Sequence, residues 1–365
     1  MMISSYNASE ITLDEELRIN KSDRSNYISF IKNLKTFNVD FDEKNLLATR
    51  DGFKPPLTYI EEMQLDFFNP YLWSKFSNAE YEKSGLGFTN KYEIILRLIL
   101  KYFEGLPKDY PVDILLIGDF LEVLGFSNVL NFPTFKYEGL VLSWKGLVPD
   151  PHSRVSRNYY NPELKRNNDS FLERTIGNSF PSYDSGVGRK WYCGSDGSGL
   201  LVSENITWIN EKKSILIVGS LENKTHLDMN IDVIKLYYKL CLSSVAACKQ
   251  NGICCIKIHL PINNGLYGIY SLFSLFFHKT RLIKLKHQPA DDLSCYLIGI
   301  YNIPLEKDEL QILLEPEAMQ KVLTVFAKET INLSEFMDKR LTPELSKWMQ
   351  SIRKKWDLRT ADQLI

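Results

Sequence analysis

The sequence lacks long hydrophobic runs and an excess of charge of either sign. Its longest apolar stretch, 267–277, is about half of the ~20 residues that a membrane helix needs, so we expect no membrane span. The N-terminal residues MMISSYNASEITLDEEL have no apolar core and carry early acids, so we expect no secretory signal peptide. The formal net charge of −1 over 365 residues means that any contact with nucleic acid has to come from a local patch.

Metal-type cysteine spacing is also missing. Of the six cysteines none forms a C-x-x-C pair, and the five histidines are scattered. Cys254 and Cys255 are adjacent, so on a strand they point to opposite faces and do not share one ion. We expect no metal site. Most of the cysteines lie in apolar runs, which predicts reduced, buried thiols in the cytoplasm or nucleus rather than a secreted protein.

Short, continuous apolar runs alternate with longer amphipathic stretches from residue 92 onward. The first pattern is typical of strands covered on both faces, and the second is typical of helices. Strands alternating with helices imply parallel pairing and helices on both faces of a sheet. We predict a Rossmann-like α/β fold, mostly parallel, with an antiparallel terminal strand. The predicted strands are 112–117, 140–144, 214–218, 253–258, 281–285 and 295–301, and the predicted helices are 92–103, 231–249 and 266–277.

Composition divides the chain into three parts. Residues 1–60 form a polar N-terminal arm whose best helix is 26–34. Residues 61–305 form the Rossmann-like domain, with a long inserted loop at 148–190 that is rich in Ser, Asn, Arg and Pro. Loops of this length are usually functional or mobile. Residues 306–365 form a basic, helical C-terminal extension, with helices at 316–326 and 343–356.

The glycine-rich segment GSDGSG at 194–199 is a candidate anion-binding loop, because glycines permit positive φ and close backbone approach. A dinucleotide loop or P-loop needs a strand before it and a helix after it, and a P-loop also needs Gly-Lys-Ser/Thr. Neither context is present in the sequence. We therefore interpret this segment as a tight surface turn.

Lys257 is a charge near the end of the apolar strand ICCIKI. A charge there is costly unless it is paired or reaches a cleft. Ligands of open α/β sheets bind at the carboxyl ends of the strands, which makes Lys257 a candidate functional residue. The alternative is a lysine whose stem is buried while its ammonium group extends past the sheet edge into water. The sequence leaves both interpretations open.

Several segments in a fixed order carry a resemblance to one family. Residues 252–257, GICCIK, are followed by an aromatic helix at 267–277 and by Lys284, Pro289-Ala290 and Ser294-Cys-Tyr296. Upstream lie Phe88-Thr-Asn-Lys91, the segment YCGSDGSG at 192–199 and Glu204-Asn-Ile206. This arrangement resembles the FtsJ-like RNA 2′-O-ribose methyltransferases, most closely the eukaryotic and viral cap 2′-O-methyltransferases. It spans roughly Phe88 to Asn302.

The resemblance implies a Lys-Asp-Lys-Glu tetrad in which one lysine lowers the pKa of the ribose 2′-hydroxyl and the carboxylates orient that lysine. By spacing, the four positions fall at Ile95, at Gly219 or Ser220, at Lys257 and at Ser294. Only Lys257 keeps the family's residue type. Four acids close in sequence are candidate substitutes for the lost carboxylates: Glu222, Asp228, Asp291 and Asp292.

The resemblance also implies a glycine-rich turn against S-adenosylmethionine after the first strand. The sequence has IGDFLEVLG at 117–125 instead, and Phe120, Leu121 and Val123 place bulky side chains there. Gly118, Asp119 and Gly219 are the candidate cofactor-binding residues. Since positioned acid–base groups alone supply ~10²–10⁴-fold in rate, losing them predicts an inactive protein that uses no cofactor.

Three hypotheses follow. The favoured one is an inactive homologue that serves as an RNA-binding or scaffolding subunit of a capping or RNA-processing assembly. Its partners would be RNA, such as a capped 5′ end, and an active capping enzyme or polymerase. The second is a divergent, active cap 2′-O-methyltransferase that uses S-adenosylmethionine and Lys257. The third is an unrelated α/β protein. The predicted RNA-binding residues, besides the basic C-terminus, are Arg154, Arg157, Lys165, Arg166, Arg189 and Lys190.

Overall fold

The computed structural model describes residues 11–17, 21–34, 41–48, 91–104, 110–131, 135–137, 139–148, 191–192, 199, 213–221, 230–259, 263–285 and 294–328. Eight strands lie in this part of the chain. In chain order they are β1 (Ile11–Leu17), β2 (Tyr110–Gly118), β3 (Leu140–Leu147), β4 (Trp191–Tyr192), β5 (Ser214–Ser220), β6 (Cys248–His259), β7 (Phe277–Leu285) and β8 (Ser294–Asn302).

The described helices precede, separate and follow these strands. They are α1 (Lys21–Lys32), α2 (Glu43–Leu47), α3 (Lys91–Leu100), α4 (Phe120–Asn131), α5 (Ile231–Ala247), α6 (Asn264–Leu275), α7 (Lys307–Leu314) and α8 (Pro316–Lys328), with a 3₁₀ turn at Lys101–Phe103.

One sheet contains all eight strands, in the order β4-β3-β2-β5-β6-β8-β7-β1. The five strands from β4 to β6 are parallel to their neighbours. The last strand, β8, lies antiparallel between β6 and β7, and β1 extends the edge by antiparallel pairing with β7. The predicted Rossmann-like methyltransferase fold, mostly parallel with an antiparallel terminal strand, is therefore confirmed.

The chain reverses its direction across the sheet between β2 and β5. From β2 it moves outward to β3 and β4, and it then returns to the other side of β2 as β5. In open α/β sheets this reversal, the topological switch point, is where a crevice opens beyond the carboxyl ends of the strands. Any ligand site inherited from this fold is therefore expected at the ends of β2 and β5.

Two apolar layers enclose the sheet. One contains α3 and α4 with alternate residues of the central strands. The other contains α5 and α6 with α7 and α8, and Ile31, Leu34 and Leu46 from the N-terminal 60 residues are buried in the same layer. The N-terminal helices thus share a core with the sheet, whereas the domain boundaries drawn from the sequence stay predictions.

Several elements differ from the sequence-based expectation. The helix predicted to reach Lys249 ends at Ala247, because Cys248 pairs with Ser214 of β5 and leaves the helix. The strand predicted from Arg281 begins at Phe277, where pairing with Asn302 fixes the backbone. Strand β1 was not predicted at all. The predicted helix at 343–356 lies outside the described residues.

Among the described residues, no helix is long and apolar enough to cross a membrane. Five cysteines are described, and all are buried thiols outside any disulfide: Cys241, Cys248, Cys254, Cys255 and Cys295. The pKa of the Cys254 thiol is raised mainly by burial. This thiol therefore stays protonated and unreactive.

Candidate functional site

At the switch point, strands β2 and β5 are hydrogen-bonded to each other as far as their carboxyl ends. Gly118 pairs with Ser220, and the amide of Asp119 donates to the Ser220 carbonyl oxygen at 3.0 Å. Gly118 has a φ of +140°, and a Cβ atom on it would lie 1.7 Å from that same oxygen. The space that this glycine leaves bare is thus filled by the backbone of β5.

The ammonium group of Lys257 is paired beside this contact. Lys257 Nζ lies 2.7 Å from Oε1 of Glu122, and the side chain of Lys257 is 0% exposed. The alternative in which this lysine extends past the sheet edge into water is therefore wrong. A charge buried this deeply is tolerated because it has an opposite charge at hydrogen-bond distance.

Glu122 is held by both of its oxygens. While Oε1 binds Lys257, Oε2 accepts a hydrogen bond from the Ser220 hydroxyl at 2.9 Å. Helix α4 begins directly after Asp119, whose carbonyl accepts from the amide of Val123 at 3.0 Å. Glu122 therefore lies in the first turn of the helix, where the helix dipole favours a carboxylate.

More polar groups are buried around the same strand ends. Asp119 is 4% exposed, and Tyr237 and Tyr270 are 2% exposed. Burial raises the pKa of Tyr237 well above its usual value, and the nearby Tyr270, Asp119 and Glu122 raise it further. Tyr237 is thus a neutral phenol next to two acids. We call Asp119, Glu122, Ser220, Tyr237 and Lys257 the rim cluster.

The structure brings two of the four tetrad positions to this place. Ser220, at the position of the family's aspartate, is linked to Lys257 through Glu122, and Gly219 lies directly before it, packed against Ile256. Ser294 pairs with His259, two residues beyond Lys257 on β6. Ile95 is fully buried in the apolar layer of α3 and α4, so the first lysine position carries no polar chemistry.

Glu122 is the partner of Lys257 that the sequence interpretation missed. The predicted acidic substitutes lie near Gly219 and Ser294 in sequence, whereas the carboxylate comes from the other side of the switch point. A signal was available: a lysine buried in a strand needs an acid at the same sheet edge, and Glu122 follows the end of β2 by four residues. The four proposed substitutes, Glu222, Asp228, Asp291 and Asp292, lie outside the described residues.

Other candidates also fall outside the described ranges, namely the side chains of Phe120 and Leu121 and the six predicted RNA-binding residues. Val123 is buried in the layer of α3 and α4. Of the glycine-rich segment only Gly199 is described; it is buried with φ of +62°. In the described part of the chain, no group of three or more His, Cys, Asp and Glu side chains is placed to hold a metal ion.

Comparisons with known proteins cover family models, curated sequences and solved structures. No protein-family model matches the sequence, and no curated protein matches it either. Among solved structures, the crystal structure of human methyltransferase-like protein 13 in complex with SAH is similar to this chain with a TM-score of 0.32 and 10% sequence identity. The alignment covers 64% of this chain and 86% of that one.

Proposed function

We propose that this chain is a non-catalytic, FtsJ-like methyltransferase homologue that serves as an RNA-binding or scaffolding subunit of an RNA-processing or capping assembly. Its Rossmann-like sheet would provide a rigid frame, and its lysine-rich and arginine-rich surfaces would contact phosphates. The protein partner would be an active enzyme of the assembly, such as a capping enzyme or polymerase. S-adenosylmethionine is not part of this function.

The observation that carries the proposal is the closed end of the switch point. A methyltransferase of this fold needs bare backbone beside its first strand for the cofactor. Here the carbonyl of Ser220 fills the bare side of Gly118, with the Asp119 amide bonded to it. The residues present at this edge do not fit the cofactor, which supports an inactive protein.

The state of Lys257 supports the same conclusion. A lysine that assists removal of the proton from a ribose hydroxyl has to lie within hydrogen-bond reach of that hydroxyl. Lys257 is wholly buried, and its charge is balanced by Glu122. Since Glu122 also accepts from Ser220, the three groups satisfy one another without a substrate.

A methyl-transfer assay tests this proposal. The full chain would be incubated with methyl-labelled S-adenosylmethionine and a short capped RNA, with an active cap 2′-O-methyltransferase as the positive control. We expect no label in the RNA and a measurable RNA affinity that falls with added salt. Transfer of label above background would overturn the inactive assignment.

A second function is favoured by one specific observation, namely that Glu122 places a carboxylate beside Lys257. If the rim cluster opens when RNA binds, Lys257 and Glu122 together would form a divergent cap 2′-O-methyltransferase site that uses S-adenosylmethionine. This candidate predicts label transfer by the wild type that is lost in Lys257→Met. A matched control is Lys307→Met, since Lys307 is an exposed lysine at the start of α7, away from the rim cluster.

A further inference from the structure

Part of the sheet is exposed far from the rim cluster, at the amino-terminal halves of β2 and β3. On β3, alternate residues Val141, Ser143 and Lys145 are exposed, and on β2 so are Pro111 and Asp113. Their alternation places them on one face, the face that farther along these strands is covered by the layer of α5 and α6, through Leu115 and Leu147. We call this surface the open face. A doubly wound sheet is normally covered on both faces. The exposure of the open face therefore suggests that a partner binds there.

The open face is apolar at one end. Val141 is 53% exposed and pairs with Pro111 on the neighbouring strand. Single exposed apolar residues are common. Two of them side by side, on a sheet face bordered by charged groups, form a contact surface for a molecule that has both apolar and ionic parts.

Cations outnumber anions on and beside this surface. Lys249 reaches Asp113 at 3.5 Å from the start of β6, and Asp113 also accepts from the Ser143 hydroxyl at 2.6 Å. The charge of Lys145 acts on the same carboxylate. A third exposed lysine, Lys213, lies close enough for its charge to act on Cys248, the residue before Lys249.

Lys145 and Lys249 act on the one carboxylate of the open face, and Lys213 adds a third positive charge near the start of β6, in a chain whose formal net charge is −1. The excess of positive charge is therefore local, which is the electrostatic signature of a polyanion site rather than of a generally basic protein. Among the described residues of the open face there is no aromatic side chain, so bases would not stack on it.

We propose that the open face binds the sugar–phosphate backbone of single-stranded RNA, with Lys145 and Lys249 on phosphates and Val141 against the sugars. The inference rests on the proposed RNA-binding function and gives it a location outside the residues predicted from the sequence. Because the contacts are to the backbone, the site binds RNA without sequence preference.

The test is fluorescence anisotropy with labelled U12 and A12 RNA, across a series of salt concentrations. The variant Lys145→Ala/Lys249→Ala is compared with Lys136→Ala/Lys307→Ala, which removes two exposed lysines elsewhere. We expect the first pair to weaken binding by roughly tenfold and to reduce the salt slope by about 1.4, since each phosphate contact on a single strand contributes about 0.7. The control pair leaves both nearly unchanged.

A variant with the opposite expected effect on RNA affinity sharpens the test. Asp113→Asn removes the only described anion of the open face and keeps its shape. It should tighten RNA binding about threefold, because one charge that repels phosphates is lost. Circular dichroism would confirm that each variant is folded.

The outcomes separate this inference from the proposed function. If the wild type binds RNA and the open-face variants bind equally well, while Arg154→Ala/Arg157→Ala binds weakly, the inference is wrong and the function stands. If the wild type binds no RNA at low salt, the inference and the RNA-binding form of the proposed function are both wrong, and only the scaffolding form is left. If the open-face variants lose affinity for a polyglutamate peptide of equal charge but keep their affinity for RNA, the open face is a site for an acidic protein and the inference is overturned.

Discussion

Strand β6 carries two lysines that pair with carboxylates of other elements, and the two pairs differ in their exposure to solvent. Lys257 and Glu122 lie 2.7 Å apart with almost no exposure, whereas Lys249 and Asp113 lie 3.5 Å apart with about half of each side chain exposed (45% and 52%). The first pair lies at the carboxyl ends of the strands, where this fold binds ligands, and the second lies at the opposite end.

The difference in exposure between the two pairs indicates different roles for the two ends of the sheet. Buried charges that satisfy each other stabilise a fixed arrangement, and separating them is costly. Exposed charges are solvated and are exchanged for those of a partner at little cost. The carboxyl end of the sheet thus holds the fixed, buried pair in this protein, and the opposite end presents the exposed charges.

The largest expected effect comes from breaking the buried pair. Glu122→Gln keeps the shape of the side chain but leaves the ammonium of Lys257 without its counter-charge. We expect a loss of about 3–5 kcal/mol in the free energy of unfolding, measured by urea denaturation. The double variant Glu122→Leu/Lys257→Met is the control and should recover most of that loss, because it removes both charges.

If Glu122→Gln instead leaves the unfolding free energy within about 1 kcal/mol of wild type, the ammonium is solvated, and the contrast between the two ends of the sheet fails.

A somewhat smaller effect is expected at the backbone contact of the switch point. Gly118→Ala places a Cβ atom against the Ser220 carbonyl at a φ of +140°, and backbone strain together with overpacking should cost about 2–4 kcal/mol. Gly139→Ala is matched to it, since Gly139 also has a positive φ, of +81°, but nothing lies within 4 Å of its added Cβ. That change should cost only about 1–2 kcal/mol. Equal losses would mean that the two strand ends are apart in solution.

The smallest effect is expected at the exposed pair and depends on pH. The Ser143 hydroxyl lowers the pKa of Asp113, with Lys249 and Lys145 adding to this and burial opposing it. Its stabilisation is therefore complete above the unfolded pKa of about 3.9 and is lost as the pH falls through the lower folded value. Asp113→Asn should cost less than about 1 kcal/mol at pH 7 and nothing near pH 2, as thermal unfolding at both pH values would show.

Much of the fold could be predicted from the sequence because apolar runs such as 112–117 and 214–218 mark strands that are buried over most of their length. Strand β1 could not, since ITLDEEL has three consecutive acids and forms a strand through its pairing with the edge of β7. Cys248 continues the apolar stripe of α5, so only the pairing with Ser214 shows that it leaves the helix.

The candidate site was half predictable. Lys257 stands out because a charge in an apolar strand demands an explanation. Glu122 does not stand out, because the segment after β2 corresponds to the cofactor loop of the family that the sequence resembles, and that loop assigns no role to an acid at this position. Helix α4 begins at Phe120, directly after Asp119, and this start is what turns Glu122 toward β6. Such a local boundary depends on packing that spacing alone does not reveal.

Calorimetric titration of the full-length wild-type protein with S-adenosylmethionine tests the central claim most directly. A closed switch point predicts no heat beyond dilution up to millimolar cofactor, with Gly118→Ala giving the same result. Saturable binding in the micromolar range, weakened when Lys257 or Glu122 is replaced, would contradict the account and make the rim cluster an active site.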